Sequence, residues 1–258
     1  MSDYLMRSAA PISAELWAKI DEMVVTVIKK TLVGRRIVEL VGPLGWGVEM
    51  VPLFGFTTEG GAATIAENTK YIALTELRQE FVLKAKQLAI AEGTPFGLDL
   101  GAVAIAATKL AKAEDDLVLG GLLKQAKTTS ELGDWSVLGG ASQAVAMATA
   151  KLLAAGFDGP YALVMSPGRY ARLSSLIQQG QREVEAVEEL AEAGLFQWTG
   201  MADDLAMVIS PHPWNMDLVV GQDVVTAYVG NEGIDQRFRI FETLALRVKL
   251  SGAVCVLK

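Results

Sequence analysis

The sequence predicts an α+β chain with one compact mixed lobe and one extended lobe, on three observations. Apolar residues recur at helical spacing in 13–33, 99–119 and 142–155. Short apolar, strand-like runs crowd the region from 206 to the C-terminus. Between the first two helices, residues 48–82 carry strand and turn signals with little helix. At 258 residues the chain is long enough to bury a sizeable core.

Pro11-Ile12-Ser13 opens the first helix, with Ser13 as N-cap and Glu15 favourable in the first turn. Trp17, Ile20, Val24, Val27, Ile28 and Leu32 form one apolar stripe, Lys29 and Lys30 suit the last turn, and Gly34 is read as the stop. Within the stretch from Val33 to Leu40, a strand of alternating character then leads into the turn Gly42-Pro43-Leu44-Gly45-Trp46-Gly47. Residues 48–82 read as a two-stranded arm turning at Gly60-Gly61. An isolated hairpin is only marginally stable in water, so the arm is expected to lie on a neighbouring subunit.

An alanine-rich helix runs from Asp99 to Leu119 and is expected to end at Gly120-Gly121. Ser142 is read as the cap of a helix closed by Gly156. A buried strand at Tyr161–Met165, a helix starting at Pro167 and an acidic helix over 183–193 follow. Strands are expected at 206–210, 218–220, 224–228, 238–249 and 253–257.

Composition narrows the function classes. Net charge is −7, which disfavours nucleic-acid binding, since phosphate affinity needs clustered Lys and Arg. A hydrophobic fraction of 51% comes without an apolar run long enough for a membrane span. That excess points to surface buried between subunits. The N-terminus lacks the apolar core of a signal peptide, so a cytoplasmic protein is expected.

The single cysteine, Cys255, lies in an apolar strand and reads as a buried structural thiol. The single histidine, His212, sits between two prolines and reads as part of a rigid surface turn. No Gly-x-Ser-x-Gly elbow, zinc motif or Walker lysine is present. Gly42-x-x-Gly45-x-Gly47 lacks dinucleotide-fingerprint spacing and reads as turn geometry. Glu114-Asp115-Asp116 point in different directions on a helix, giving a solvated face or local salt bridges rather than a metal site. Glu185, Glu188, Glu189 and Glu192 are likewise a solvated face, or a negative ring around an opening if symmetry gathers copies. No catalytic constellation, metal site or cofactor is expected.

Ordered motifs run through nearly the whole chain. They are Tyr4-Leu5-x-Arg7-Ser8-x-Ala10-Pro11-Ile12, the tryptophan-bearing first helix, Gly34-Arg35-Arg36 and Gly42-Pro43-Leu44-Gly45-Trp46. Gly159-Pro160-Tyr161-Ala162-Leu163-Val164, Gly221-Gln222-Asp223, Ala227-Tyr228-Val229-Gly230 and Phe238-Arg239-Ile240-Phe241-Glu242-Thr243 continue the series. Together they resemble encapsulin shell proteins.

The resemblance implies a tailed-phage major capsid protein fold with a peripheral domain, an axial domain and an extended loop. It implies 1–47 as the N-terminal helix and start of the peripheral domain, 48–82 as the loop and 83–134 as peripheral. Residues 135–225 would be axial, and 226–258 would return to the peripheral domain. Sixty subunits or a small multiple would close into an icosahedral shell around a cargo enzyme, a ferritin-like iron oxidase or a peroxidase, held by a short docking peptide. The short arm favours the smaller shell.

Cargo docking is implied near Arg35, Ile37, Glu39 and Leu246. The alternative is that Ile37 is ordinary core and Arg35 pairs with a carboxylate. The fivefold pore maps near Gln179, Gly180, Gln181, Arg182 and Glu183. A phage major capsid protein packaging DNA is the alternative function; the acidic charge and the early first helix argue against it.

Overall fold

The computed structural model describes residues 4–59, 62–65, 69–93, 97–178 and 181–258. The first helix, α1 (Ala14–Thr31), starts where the sequence predicts, the Ser13 hydroxyl accepting from the Leu16 amide at 3.2 Å. Trp17, Ile20, Val24 and Ile28 are buried along its stripe. Its end differs from expectation. The chain leaves the helix at Leu32 in an extended conformation, and Gly34 opens a 3-10 turn, Gly34–Arg36. Glycine is needed there for close approach, since a Cβ would lie 3.0 Å from Val118 Cγ1. The turn and the buried Ile37 and Val38 reduce the expected strand to β1 (Leu40–Val41).

The arm forms as two antiparallel pairs, β2 (Met50–Leu53) with β5 (Lys70–Ala73) and β3 (Phe56–Glu59) with β4 (Ala62–Ile65). The Gly60-Gly61 turn lies outside the described residues. Strand β6 (Thr75–Leu83), expected in the arm, belongs to the body, where it pairs with the long strand near the C-terminus. A helix the sequence did not signal, α2 (Ala85–Gly93), follows.

Helix α3 (Gly101–Gln125) runs straight through Gly120-Gly121 instead of stopping there. Both glycines face close neighbours. A Cβ at Gly121 would come 2.7 Å from Leu246 Cδ2, and one at Gly120 would touch the Trp198 ring at 3.7 Å. The pair thins the helix where it presses on the body; here packing, not helix termination, explains the glycines.

Strand β7 (Thr128–Ser130) leads towards α4 (Gly140–Ala154), which begins before Ser142, with Gly139 at φ 86° as N-cap. Gly156, at φ 84°, closes it as expected. Then come β8 (Ala162–Met165), α5 (Pro167–Ser175) capped by Ser166, β9 (Ile177–Gln178), β10 (Gln181–Arg182) and α6 (Glu183–Leu190). Helix α6 is shorter than predicted because Gly194, at φ 118°, starts the edge strand β11 (Gly194–Gln197). The chain ends with β12 (Ala206–Ile209), β13 (Met216–Val220), β14 (Val225–Glu232), β15 (Asp235–Val248) and β16 (Val254–Leu257).

Two five-stranded sheets organise these elements. In the first, the order is β1-β13-β15-β14, with β6 also on β15. The second runs β11-β8-β12-β16-β7. The implied domain boundaries cut across both: β13 belongs to the first sheet, while β7 and the C-terminal β16 belong to the second. Helices α1 and α3 bury Trp17, Ile20, Leu110 and Phe238 against the first sheet. The C-terminal half of α3 joins both sheets through Leu119, Leu122, Val164 and Leu244. Helices α4, α5 and α6 cover the second sheet through Val145, Leu173 and Val187. Cys255 is buried in β16, and His212 lies in the β12–β13 loop, its Nε2 2.9 Å from the Gly159 carbonyl oxygen.

Candidate docking and assembly site

Asp115 creates the joint at the end of α1. Its Oδ1 accepts from the amides of Val33 at 2.9 Å and Gly34 at 2.7 Å, so the two donors that open the 3-10 turn, which have no partner within it, find a carboxylate on α3. This fixes the 3-10 turn and aims Arg35 into the body. The guanidinium then holds three carboxylates: Nε meets Glu114 Oε1 at 2.7 Å, one terminal nitrogen meets Glu242 Oε2 at 2.7 Å, and the other meets Asp223 Oδ1 at 2.9 Å. Glu114 and Glu242 are fully buried, whereas Asp223 is exposed.

The acidic triplet on α3 therefore divides: Asp116 is exposed, as a solvated face requires, but Glu114 and Asp115 are buried. Asp116 accepts the indole N–H of Trp198 at 3.0 Å, and Asp115 and Glu114 point into the body. The expectation of salt bridges holds for Glu114, but the partner is 79 positions away rather than local. Burial pushes the Asp115 carboxyl up to about 6, against the pull of the Gly34 and Val33 amides. Burial costs Arg35 as well, yet Glu114, Asp223 and Glu242 outweigh it and hold the guanidinium charged.

The residues implied for docking separate into inner and outer sets. Ile37 and Leu246 belong to one buried cluster, at 7% and 8% exposure. Arg35 is enclosed by its carboxylates, and Glu39 alone is exposed, its carbonyl accepting from the Leu218 amide at 2.9 Å. Arg36, beside them, stacks its guanidinium over the Phe196 ring at 5.3 Å. Sequence spacing assigns Glu242 and Asp223 no functional role. Glu242 is the single carboxylate in the strand-like run 238–249, and that is the available signal for it.

In the segment implied to form the pore, Gln179 and Gly180 lie outside the described residues. Gln181–Arg182 pairs with Ile177–Gln178 as a small antiparallel ribbon, and Arg182 is exposed. Glu183 turns inward and is 3% exposed.

The arm is tied to the body at its base. Arg247 grips Asp217 through two bonds of 2.7 Å and donates a third, of 3.0 Å, to the Pro52 carbonyl in β2. Beyond this anchor the arm leaves Met50, Phe54, Phe56, Ile65 and Tyr71 exposed. Among the described residues no group of His, Cys, Asp and Glu could hold a metal ion, and no helix is long and apolar enough to cross a membrane.

A family model described as an encapsulating protein for peroxidase matches residues 1–245. The type 1 encapsulin shell protein EncA of Myxococcus xanthus is 34% identical over 279 aligned positions, covering 100% of this chain and 97% of that protein. The chain belongs to the encapsulin family. A diheme-cytochrome–encapsulin shell fusion protein of Kuenenia stuttgartiensis is 33% identical over 96% of this encapsulin chain and 74% of its own length. Among solved structures, a virus-like particle from Pyrococcus furiosus matches with a TM-score of 0.82 at 22% identity, over 95% of this chain and 100% of that one. Mycobacterium phage Che8 matches with a TM-score of 0.60 at 14% identity, over 88% and 91% of the two chains. At such identities the likeness shows the fold: this encapsulin has the phage-capsid architecture.

Proposed function

We propose that this chain is the shell-forming subunit of an encapsulin nanocompartment. Sixty copies or a small multiple close into an icosahedral particle in the cytoplasm, and the chain itself performs no catalysis. The observation that carries the reading is the end-to-end match to a shell protein, 34% identical over 100% of this chain. The exposed apolar side chains of the anchored arm support it, because large apolar side chains left in water along one arm suit burial against a neighbouring subunit. Analytical ultracentrifugation of the purified chain tests it. One fast-sedimenting species supports the shell, and a monomer or dimer opposes it.

Cargo docking belongs to the same reading. A short peptide on an enclosed enzyme, a ferritin-like iron oxidase or a peroxidase, would lie beside Glu39 over the floor that Ile37 and Leu246 build. Arg35 stiffens that floor through its three carboxylates and reads the peptide indirectly. Glu39→Lys should reduce co-purification of cargo without changing particle size. The segment 179–183 would line a pore, with Arg182 offering charge and Glu183 fixing the segment in place. Nucleic acid and membranes are not partners in this reading.

A further inference from the structure

The contacts of Arg35 leave two oxygens unexplained. Glu114 Oε1 and Glu242 Oε2 are taken by the guanidinium, but Glu114 Oε2 and Glu242 Oε1 are buried without a hydrogen-bond partner among the described residues. Ionised carboxylates only accept hydrogen bonds, so two such oxygens cannot satisfy one another. They can if one carboxyl keeps its proton. The charge count points the same way. With both glutamates ionised, two fully buried negative charges would share one cation already bound also to Asp223.

We propose that Glu242 and Glu114 form a buried acid–carboxylate pair that shares one proton at neutral pH, and that this proton holds α3 to β15 behind Arg35. Alkali removes it to solvent, leaves two like charges in contact and loosens the joint on which α1 is seated.

The surroundings are consistent with a retained proton. Burial first, and the charge of Glu114 next, push the Glu242 carboxyl up to about 9, with Arg35 opposing. The charged groups around the pair are Asp115 on α3, Arg35 and Arg36 in the 3-10 turn and Asp223 in the segment before β14; Glu114, Arg35 and Asp223 act on Glu242, whereas Arg36 acts on Asp115. On β6 the residue in register with Glu242 is Leu77, and its flanking β15 neighbours on the same face, Ile240 and Leu244, carry no charge. The sign follows from linkage. A carboxyl held protonated in the fold but ionised when unfolded makes stability fall as pH rises from its ordinary range towards about 9.

Infrared spectroscopy of the purified protein, with melting temperature as a function of pH, tests the pair in wild type, Glu242→Gln and Glu114→Gln. A glutamine amide supplies the missing hydrogen without titrating. The expected result is a protonated-carboxyl carbonyl band in wild type at neutral pH, lost above about pH 9 and absent from both variants. The fall in melting temperature between neutral and alkaline pH should be steep in wild type and shallow in the variants. A wild type without that band at neutral pH overturns the proposal, as does a band that persists in both variants. Parallel melting profiles overturn it too. If neither variant folds, the wild-type band and its pH dependence still decide. None of these readouts depends on particle formation.

Discussion

The carboxylate of Glu183 accepts a hydrogen bond from the Gly139 amide at 2.7 Å, so helix α4 is capped by a residue 44 positions away. Its second oxygen accepts from the Ser142 amide at 2.8 Å. Glu183, the last residue of the segment implied to form the pore, thereby joins the start of α6 to the start of α4. Burial raises its carboxyl, but the amides of Gly139, Ser142 and Ala141 and the Ser142 hydroxyl outweigh that and hold it below the usual range. Glu183→Ala should cost about 1–2 kcal/mol at neutral pH, as the loss of a cap does. Because the folded carboxyl is the stronger acid, this contribution exists above 4.5, its ordinary value, and disappears as pH falls below it. Thermal unfolding of wild type and variant across that range checks the convergence.

Asp115 satisfies two buried amides at the end of α1, and Asp115→Ala leaves both without an acceptor. The expected cost is about 2–4 kcal/mol, from the penalty for unsatisfied buried donors. Asp115→Asn keeps an acceptor oxygen and should cost less. Burial has raised the carboxyl from 3.8 to about 6, so wild type binds a proton in the fold that the unfolded chain has lost over that interval. The advantage of wild type over Asp115→Asn should therefore narrow as pH rises from 3.8 to about 6, measured by denaturant unfolding.

Arg247 couples the arm to the body through the Pro52 carbonyl while pairing with Asp217. Arg247→Lys keeps the charge and loses the fork. Since Lys249 also reaches Asp217 at 2.7 Å, the carboxylate is not stranded, and the cost should stay near about 1–2 kcal/mol. Limited proteolysis should cut the arm base faster in the variant while the body persists.

Gly120 and Gly121 make opposite predictions at adjacent positions. Alanine at either gains about 1 kcal/mol of helix propensity. At Gly120 the new methyl would meet the Trp198 ring at an ordinary 3.7 Å, so Gly120→Ala should raise the melting temperature. At Gly121 it would come 2.7 Å from Leu246 Cδ2, and Gly121→Ala should not. Equal effects would argue against close packing of α3 on β15.

These glycines also show where the sequence was silent. Periodicity located α1 and its cap because an amphipathic stripe and Ser13 are local features. It stopped α3 too early because glycine disfavours helix locally, and only the opposing Trp198 and Leu246 explain it. Ser142 reads as a cap because serine is a local cap signal; the N-cap position is Gly139, and the carboxylate that accepts its amide, Glu183, lies in another element. Glu114 and Asp115 read as solvated because their partners, at Val33, Gly34 and Arg35, are far away in sequence; Asp116 does stay exposed while it holds Trp198. Of the candidate site, Arg35 was legible through the family motif, whereas Glu242 and Asp223 were not assigned to it. Such pairings follow from topology, which short-range spacing does not encode.

Assembly is the central claim, and negative-stain electron microscopy of the purified chain, beside size-exclusion chromatography, tests it most directly. The account predicts uniform, closed, hollow particles eluting as one large species. A monodisperse monomer or dimer, with no particles in the field, would contradict it.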